Sequence, residues 1–266
     1  MWRGWGWRLA ERWDLHRADA LRWLTEYEGE PFDALITDPP YSSGGAFRGD
    51  RTGSTDDKYT RSEARGARPD FDGDNRDQRS FIAWMGIWLM ASKRVLVPGA
   101  PVVLFTDWRQ LPATTDALQA GGMVWRGVAV WDKTPACRPA MDSFASQCEY
   151  IVWGSHGAMP RDGRAGCLPG LFSHRVDQKD KHHQTGKPTP LMREIVRICP
   201  AGGRILDPFA GSATTGVAAL LEGRRFVGLE ITDEYHAVAL ARLEQAAADT
   251  SGTFSTSPLF SEVPRG

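Results

Sequence analysis

Apolar residues recur along the chain in two alternating patterns. Short apolar runs bounded by polar or turn residues predict buried strands at 14–19, 32–36, 101–105, 124–131, 149–153, 204–207 and 225–230. Apolar residues at three- and four-residue spacing predict helices at 20–27, 80–95, 109–119, 191–198, 217–221 and 233–248. Strands that alternate with helices in this way indicate an α/β protein built on a mostly parallel sheet.

Two prolines follow the strand at 32–36, in the stretch Asp38-Pro39-Pro40-Tyr41. Because proline lacks an N–H and restricts φ, they end the strand and hold a carboxylate and an aromatic ring at the carboxyl edge of the sheet. Ligands of open α/β sheets bind at that edge. The alternative is an ordinary turn between strand and loop, since Asp-Pro pairs are common in turns.

A second strand that ends in Asp-Pro favours a ligand site over a plain turn. The strand at 204–207 leads into the loop Asp207-Pro208-Phe209-Ala210-Gly211-Ser212, and Thr214 stands where the next helix opens. Gly211 allows the backbone to approach a ligand closely. The loop lacks the lysine of a phosphate-binding loop and the three glycines of a dinucleotide-binding turn. Glu230 ends the next strand, where an acid can accept hydrogen bonds from a ribose diol.

These two stretches together resemble the DNA methyltransferases that methylate exocyclic amines with S-adenosylmethionine. Asp38-Pro39-Pro40-Tyr41 is similar to their catalytic tetrapeptide, and the loop that begins at Asp207 is similar to their cofactor loop. The catalytic stretch comes first, which is the circularly permuted arrangement of the family's β group. The resemblance extends over about 14–243.

The resemblance implies a Rossmann-like class I methyltransferase fold. Its sheet would be mostly parallel and seven-stranded, in the family order 3-2-1-4-5-7-6, with helices on both faces. The strand near Glu149 would be the antiparallel one. The chain would form one permuted methyltransferase domain over 1–248, followed by a disordered tail over 249–266.

The resemblance also assigns roles to individual residues. The Asp38 carboxylate and the Pro39 carbonyl would accept the two hydrogens of the target amine, Pro40 would hold the turn rigid, and Tyr41 would stack on the base. The residues predicted to hold S-adenosylmethionine are Asp19, Ala20, Asp38, Lys187, Thr189, Asp207, Pro208, Phe209, Gly211, Ser212, Thr214 and Glu230. For Asp19, a helix N-cap is an equally simple interpretation.

The predicted reaction is methylation of adenine N6 in double-stranded DNA, because Asp at the first position of the tetrapeptide mostly accompanies adenine in the family. Methylation of cytosine N4 or of RNA, and a silent nucleic-acid-binding homologue, are the alternatives. The absence of a nucleophilic Pro-Cys pair argues against methylation of cytosine carbon 5, since Cys199-Pro200 has the reverse order. The target base must leave the duplex, at a cost of roughly a few kcal/mol.

Composition limits the other functions that the chain could have. The net charge is −1, so any basic surface for DNA must be local. The four cysteines lack the spacing of a zinc site, and the scattered histidines have no accompanying ligands, so we expect no metal. No apolar run is long enough to span a bilayer, and free thiols fit a reducing cytoplasm, here bacterial or phage-encoded.

Three further segments carry hypotheses. The polar stretch 42–79 is predicted to be a DNA-binding lid whose basic residues Lys58, Arg61, Arg65 and Arg68 face phosphates; a solvated insertion is the alternative. The loop-rich stretch 154–186 corresponds to the family's recognition region and is short. Leu259 and Phe260 in the tail resemble peptides that dock on sliding clamps, although a solvated tail is the simpler interpretation. A homodimer is a further expectation.

Overall fold

A computed structural model describes residues 12–42, 76–135, 137, 142–160, 166–175 and 186–253. Within these ranges lie eight strands and six α-helices. The strands are β1 Trp13–Arg17, β2 Ala34–Thr37, β3 Pro101–Thr106, β4 Val124–Asp132, β5 Cys148–Ser155, β6 Leu171–Ser173, β7 Arg204–Asp207 and β8 Arg225–Glu230. The helices are α1 Ala20–Glu26, α2 Gln78–Val95, α3 Leu111–Ala120, α4 Thr189–Ile195, α5 Thr214–Leu221 and α6 Asp233–Thr253.

The strands form one sheet in the order β1-β8-β7-β2-β3-β5-β4-β6. Strand β5 runs antiparallel to both of its neighbours, β3 and β4, and every other described pair is parallel. If β7 is counted as the first strand of the unpermuted family sheet, this is the expected 3-2-1-4-5-7-6 order with an additional strand, β6, beside β4. Strands β2 and β7, which lead into the predicted catalytic stretch and the predicted cofactor loop, are therefore direct neighbours in the middle of the sheet.

Helices cover both faces of the sheet, which is why β2 and β3 are buried along their whole length. Helices α1, α2 and α3 pack on the face that receives Leu35 of β2, whereas α4, α5 and α6 pack on the face that receives Ile36. Each fully buried side chain of this size contributes ~1.5–3 kcal/mol to folding. The two hydrophobic layers thus fix the carboxyl ends of β2 and β7 at the same edge of the sheet.

The fold differs from the sequence prediction in several places, among them the number of strands and the bounds of two helices. The sheet has eight described strands instead of seven, because three residues of the stretch predicted as loop-rich, Leu171–Ser173, pair with the end of β4. The helix predicted at 191–198 begins at Thr189 and ends in a 3-10 turn, Val196–Ile198. Helix α6 continues to Thr253, so the first five residues of the predicted disordered tail are helical.

None of the helices in the described ranges is long and apolar enough to cross a membrane.

Candidate active site

The catalytic stretch lies where it was predicted, directly after β2 at the carboxyl edge of the sheet. The two carboxylate oxygens of Asp38 have different partners. Oδ1 accepts a hydrogen bond from the Tyr41 hydroxyl at 2.6 Å, and Oδ2 accepts one from the Lys187 ammonium at 2.5 Å. The carboxylate is thus held from both sides, while a quarter of its side chain (26%) stays exposed toward the open edge.

A second acid, Glu149 at the start of β5, belongs to the same cluster. Its Oε2 lies 3.3 Å from the Lys187 Nζ and 3.3 Å from the Tyr41 hydroxyl, and its Oε1 lies 2.7 Å from the Lys133 Nζ. Two carboxylates therefore share a mostly buried site with two ammonium groups. Sequence analysis missed Glu149 and Lys133, because an isolated acid at the start of a strand and an isolated lysine after one form no motif.

Burial and charge oppose each other in this cluster. Burial raises the pKa of Asp38, the Glu149 charge adds to that effect, and Lys187 offsets only part of it. Burial would also raise the pKa of Glu149, but Lys187 and Lys133 outweigh it and hold that pKa below its usual value. For Lys187, burial is outweighed by the charges of Asp38 and Glu149, so its pKa is raised and it stays charged.

The cofactor loop is joined to the catalytic strand by a buried hydrogen bond. The Thr37 hydroxyl donates to Asp207 Oδ1 at 2.6 Å, and the Phe209 N–H donates to the same oxygen at 3.1 Å. Burial raises the pKa of Asp207 to about 6, since these hydrogen bonds only partly replace water. One acid at the end of β7 thereby positions both the loop that follows it and the neighbouring strand end.

Glu230 lies at the end of β8 and organises the far side of the loop. Its Oε2 accepts a hydrogen bond from the Gly211 N–H at 3.0 Å, and its Oε1 accepts from the N–H and the hydroxyl of Thr232 at 2.8 and 2.7 Å. Gly211 has φ 52°, the left-handed region that favours glycine. With one described partner, Oε2 therefore keeps capacity for a further hydrogen bond from a ligand.

An aromatic group packs on the other side of the loop. The Phe209 ring lies 5.4 Å from Trp84 and 5.1 Å from Trp88, both on α2. The Arg76 guanidinium lies 4.3 Å from the Trp84 ring centre. Phe209 is therefore anchored in a hydrophobic layer, where it supports the loop.

The remaining predicted cofactor residues are divided between the loop and its surroundings. Ser212 and Thr214 both accept hydrogen bonds from the Arg242 guanidinium of α6, which sequence analysis did not identify. Asp19 caps α1, accepting from the Arg22 N–H at 2.8 Å, and the buried Ala20 begins that helix.

Asp19 is also near Glu230, because the N–H of the preceding residue, Ala18, donates to the Glu230 carbonyl at 3.0 Å. Both interpretations of Asp19 thus remain compatible with its position. Thr189 begins α4, two residues after Lys187, whose ammonium is directed to the acids of the catalytic cluster. A role for this pair toward the cofactor carboxylate stays a prediction.

Four predicted DNA contacts, Lys58, Arg61, Arg65 and Arg68, lie outside the described residues. Within the described ranges, no three His, Cys, Asp or Glu side chains gather in a group that could hold a metal ion. The described site presents carboxylates, ammonium groups and an aromatic ring at the end of two central strands.

Comparison with known sequences identifies the family. The profile of the DNA methylases, which covers N6 and N4 methyltransferases, matches residues 32–162 and 170–241. The chain belongs to the DNA methylase family. The predicted resemblance is thereby confirmed, and the matched residues include both the catalytic stretch and the cofactor loop of this DNA methylase.

Individual relatives and solved structures agree with the family. The DNA methylase is 28% identical over 254 residues to the type II methyltransferase M2.DpnII of Streptococcus pneumoniae, covering 86% of this chain and 89% of the relative. It is 46% identical over 68 residues to the DNA adenine methyltransferase YhdJ of Escherichia coli, which is 25% of this chain and 23% of that relative.

Two solved structures confirm the class I methyltransferase fold. The M1.HpyAVI–SAM complex superposes with a TM-score of 0.63 at 23% identity, covering 87% of this chain and 98% of that one. The cytosine-N4-specific PvuII DNA methyltransferase superposes with a TM-score of 0.66 at 16% identity, covering 91% and 92%. Because the family profile covers N6 and N4 methyltransferases and the fold is shared with a cytosine-N4-specific enzyme, the fold alone does not select the target base.

Proposed function

We propose that this DNA methylase transfers a methyl group from S-adenosylmethionine to the N6 amine of adenine in flipped-out, double-stranded DNA. The observation that carries the proposal is the placement of Asp38. Its carboxylate lies at the open carboxyl edge of β2, held by the buried Lys187, and the adjacent Thr37 is hydrogen-bonded to Asp207 of the cofactor loop. The site of the amine that accepts the methyl group and the site of the methyl donor would thus lie at the same edge of the sheet.

The residues around the loop fit S-adenosylmethionine. Glu230 offers carboxylate oxygens at the end of β8, the position where an acid binds a ribose diol. Gly211 allows close backbone approach, and Asp207 with the neighbouring N–H groups suits the amino-acid end of the molecule. The similarity to a solved SAM complex supports this assignment. When bound, S-adenosylmethionine supplies an electrophilic methyl group on a positively charged sulfur.

The chain itself would activate and orient the target amine. The lone pair of such an amine is delocalised into the base, so the free amine is a poor nucleophile. Hydrogen bonds to Asp38 and to the Pro39 carbonyl would favour a pyramidal nitrogen and stabilise the positive charge that develops on it. Tyr41 would stack on the base, and the rigid turn would supply orientation. Because the Asp38 pKa is raised, activity should fall as the pH falls through that raised value.

Two features support adenine as the target. The first residue of the tetrapeptide is Asp38, which in the family mostly accompanies adenine, and the relative YhdJ, similar over 68 residues, is a DNA adenine methyltransferase. The family includes N4 methyltransferases, so cytosine N4 is the competing proposal.

A methyl-transfer assay with tritiated S-adenosylmethionine tests the proposal. The wild-type protein should label duplex DNA but not RNA of the same sequence, and Asp38→Ala should abolish labelling while cofactor affinity, measured by calorimetry, stays largely intact. Arg126 lies on β4, away from the catalytic edge, and Arg126→Ala serves as a control for substitution of a charged residue. Substantial turnover by Asp38→Ala would show that Asp38 is only a turn residue.

A further inference from the structure

Each carboxylate oxygen of Asp38 already accepts one hydrogen bond in the free protein. Lys187 takes Oδ2 at 2.5 Å, and the Tyr41 hydroxyl takes Oδ1 at 2.6 Å. A target amine also needs an oxygen of Asp38 as its acceptor. Lys187 is almost fully buried, with 5% of its side chain exposed, so a base that enters from solvent should use Oδ1, the oxygen held by Tyr41. Oδ1 could accept a second hydrogen bond, but the bond from Tyr41 draws charge from this oxygen and weakens it as an acceptor for the amine.

Glu149 offers the same hydroxyl a second acceptor. Its Oε2 lies 3.3 Å from the Tyr41 oxygen, and Lys133 holds the other oxygen, Oε1, at 2.7 Å. Rotation of the O–H bond about the ring C–O bond redirects the hydrogen from Asp38 to Glu149 without moving the ring. Lys187 and Lys133 together keep Glu149 ionised, so the acceptor is available when the base enters.

We propose that Glu149 is a positioning residue that accepts the Tyr41 hydroxyl and so frees Asp38 for the target amine. This role rests on the proposed amine methylation. It separates two functions of Tyr41: the ring stays available for the base, while the hydroxyl changes its partner. Lys133 in turn orients Glu149.

Single-turnover methyl transfer in three variants tests the role. With DNA and S-adenosylmethionine saturating, Glu149→Ala should slow transfer about tenfold, since a tenfold change corresponds to ~1.4 kcal/mol, near the value of one hydrogen bond to a charged group. Tyr41→Phe removes the hydroxyl and keeps the ring. The double variant should therefore be several-fold faster than Glu149→Ala alone. A purely structural Glu149 would give no such rescue.

Controls separate this role from folding and from the proposed function. Glu149→Ala with Lys133→Met keeps the charge of the cluster balanced, and thermal unfolding with calorimetric cofactor binding reports whether each variant is intact. If Glu149→Ala alone does not fold, the rescue is measured in this balanced background. A double variant no faster than its parent overturns the role of Glu149. A wild-type protein that methylates no adenine overturns the proposed function instead.

A different observation concerns the turn after β3. Trp108 is exposed there, with 59% of its surface accessible, and the Arg109 guanidinium lies 4.9 Å from its ring centre. The turn is firmly held: Asp107 Oδ1 accepts hydrogen bonds from the N–H groups of Arg109 and Gln110 at 3.0 and 2.9 Å. The buried Gln110 side chain donates to the carbonyl of Ser42, the residue after Tyr41, at 3.3 Å.

This turn leaves the sheet at the catalytic edge. Strand β3 pairs in parallel with β2, with Leu104 opposite Thr37, so Trp108 and the catalytic stretch follow neighbouring strand ends. From this placement we infer that Trp108 and Arg109 contact DNA beside the flipped base, the indole stacking on a neighbouring or orphaned base and the guanidinium on a phosphate. Stacking on an aromatic side chain is tolerant of sequence, so it would support flipping without selecting the site.

The chain supplies a matched control for this inference. Trp125 is also exposed (45%), but it lies at the start of β4. Because β5 is antiparallel to both β3 and β4, those two strands are parallel, and Trp125 lies at the edge opposite to the catalytic stretch. Both substitutions remove an exposed indole ring, but of the two residues Trp108 alone lies beside the active site.

The probe is a duplex that carries the methylation site, first defined by modified-base sequencing, with 2-aminopurine at the target position. Trp108→Ala should weaken binding and the flipping fluorescence by about 5- to 150-fold, the equivalent of ~1–3 kcal/mol per stacked base. Trp108→Phe should retain most of the signal, Trp125→Ala should match wild type, and cofactor affinity should be unchanged throughout. Wild-type binding by Trp108→Ala, or an equal loss in Trp125→Ala, overturns the inference. If Trp108→Ala fails to fold, Trp108→Leu, which keeps an apolar side chain but has no ring, is compared with Trp108→Phe and decides the same question.

Discussion

The Asp207→Asn substitution separates the stability cost of a buried carboxylate from its use in the cofactor loop. Asparagine has the same shape and keeps an oxygen that can accept from the Thr37 hydroxyl and the Phe209 N–H, the two described partners of Oδ1. Its amide group can donate to the Thr215 hydroxyl, which now donates to the carboxylate. The substitution therefore removes a charge and few contacts.

The expected magnitude follows from the shifted pKa. Burial raises the Asp207 pKa from 3.8 to about 6, so ionisation in the folded protein costs about two pKa units, or ~3 kcal/mol at ~1.4 kcal/mol per unit. The folded protein binds this proton more tightly than the unfolded chain. Stability from this group is thus greatest below the unfolded pKa, falls as the pH rises through about 6, and is constant above it.

Asp207→Asn should accordingly be more stable than wild type at pH 7.5, by up to ~3 kcal/mol, and this advantage should shrink between pH 6 and pH 4. Urea unfolding at several pH values measures the difference, because other titrating groups are common to both proteins. Asp116→Asn, on the exposed side of α3, controls for loss of a carboxylate. Asp207→Asn should also bind S-adenosylmethionine more weakly than wild type in calorimetry. Equal or lower stability at pH 7.5 would refute the argument.

Three further predictions address the binding of the cofactor, of DNA and of a sliding clamp. Glu230→Ala should weaken S-adenosylmethionine binding by ~1.5–3 kcal/mol, and unchanged affinity in calorimetry would remove Glu230 from the cofactor site. Changing the four basic residues of the predicted lid to Ala should flatten the salt dependence of DNA binding, each lost phosphate contact by ~0.9 in slope, while an unchanged slope would reject the lid. Replacing Leu259 and Phe260 should abolish capture of a sliding clamp; capture that persists would end the clamp hypothesis.

Local patterns were sufficient to predict the elements that carry the site. The apolar runs before Asp38 and Asp207 became parallel strands, as the alternation of strands and helices implies, and they are adjacent, as the resemblance implies. Periodicity missed strand β6, because three residues are too few to show alternation and the pairing with β4 depends on tertiary contact. Helix α6 continues beyond its predicted end for a different reason. The small polar residues after 248 are typical of a disordered tail, so their helical structure could not be predicted from composition.

The charge cluster could not be predicted from local patterns. Lys133 and Glu149 meet because β4 pairs with β5 at those ends, and Lys187 reaches them from the residues before α4. The resemblance identified Lys187 but associated it with the cofactor, whereas its ammonium contacts Asp38 and Glu149. Arg242 likewise reaches Ser212 and Thr214 from the last helix. Such partners follow from packing, which no spacing rule encodes.

The identity of the methylated base tests the central claim most directly. Duplex DNA of mixed sequence is incubated with the protein and S-adenosylmethionine carrying a deuterated methyl group, digested to nucleosides and analysed by mass spectrometry, with Asp38→Ala as the inactive control. The account predicts deuterated N6-methyldeoxyadenosine in the wild-type reaction and none in the control. Deuterated N4-methyldeoxycytidine in place of the adenine product, or labelled adenine at the wild-type level with Asp38→Ala, would contradict it.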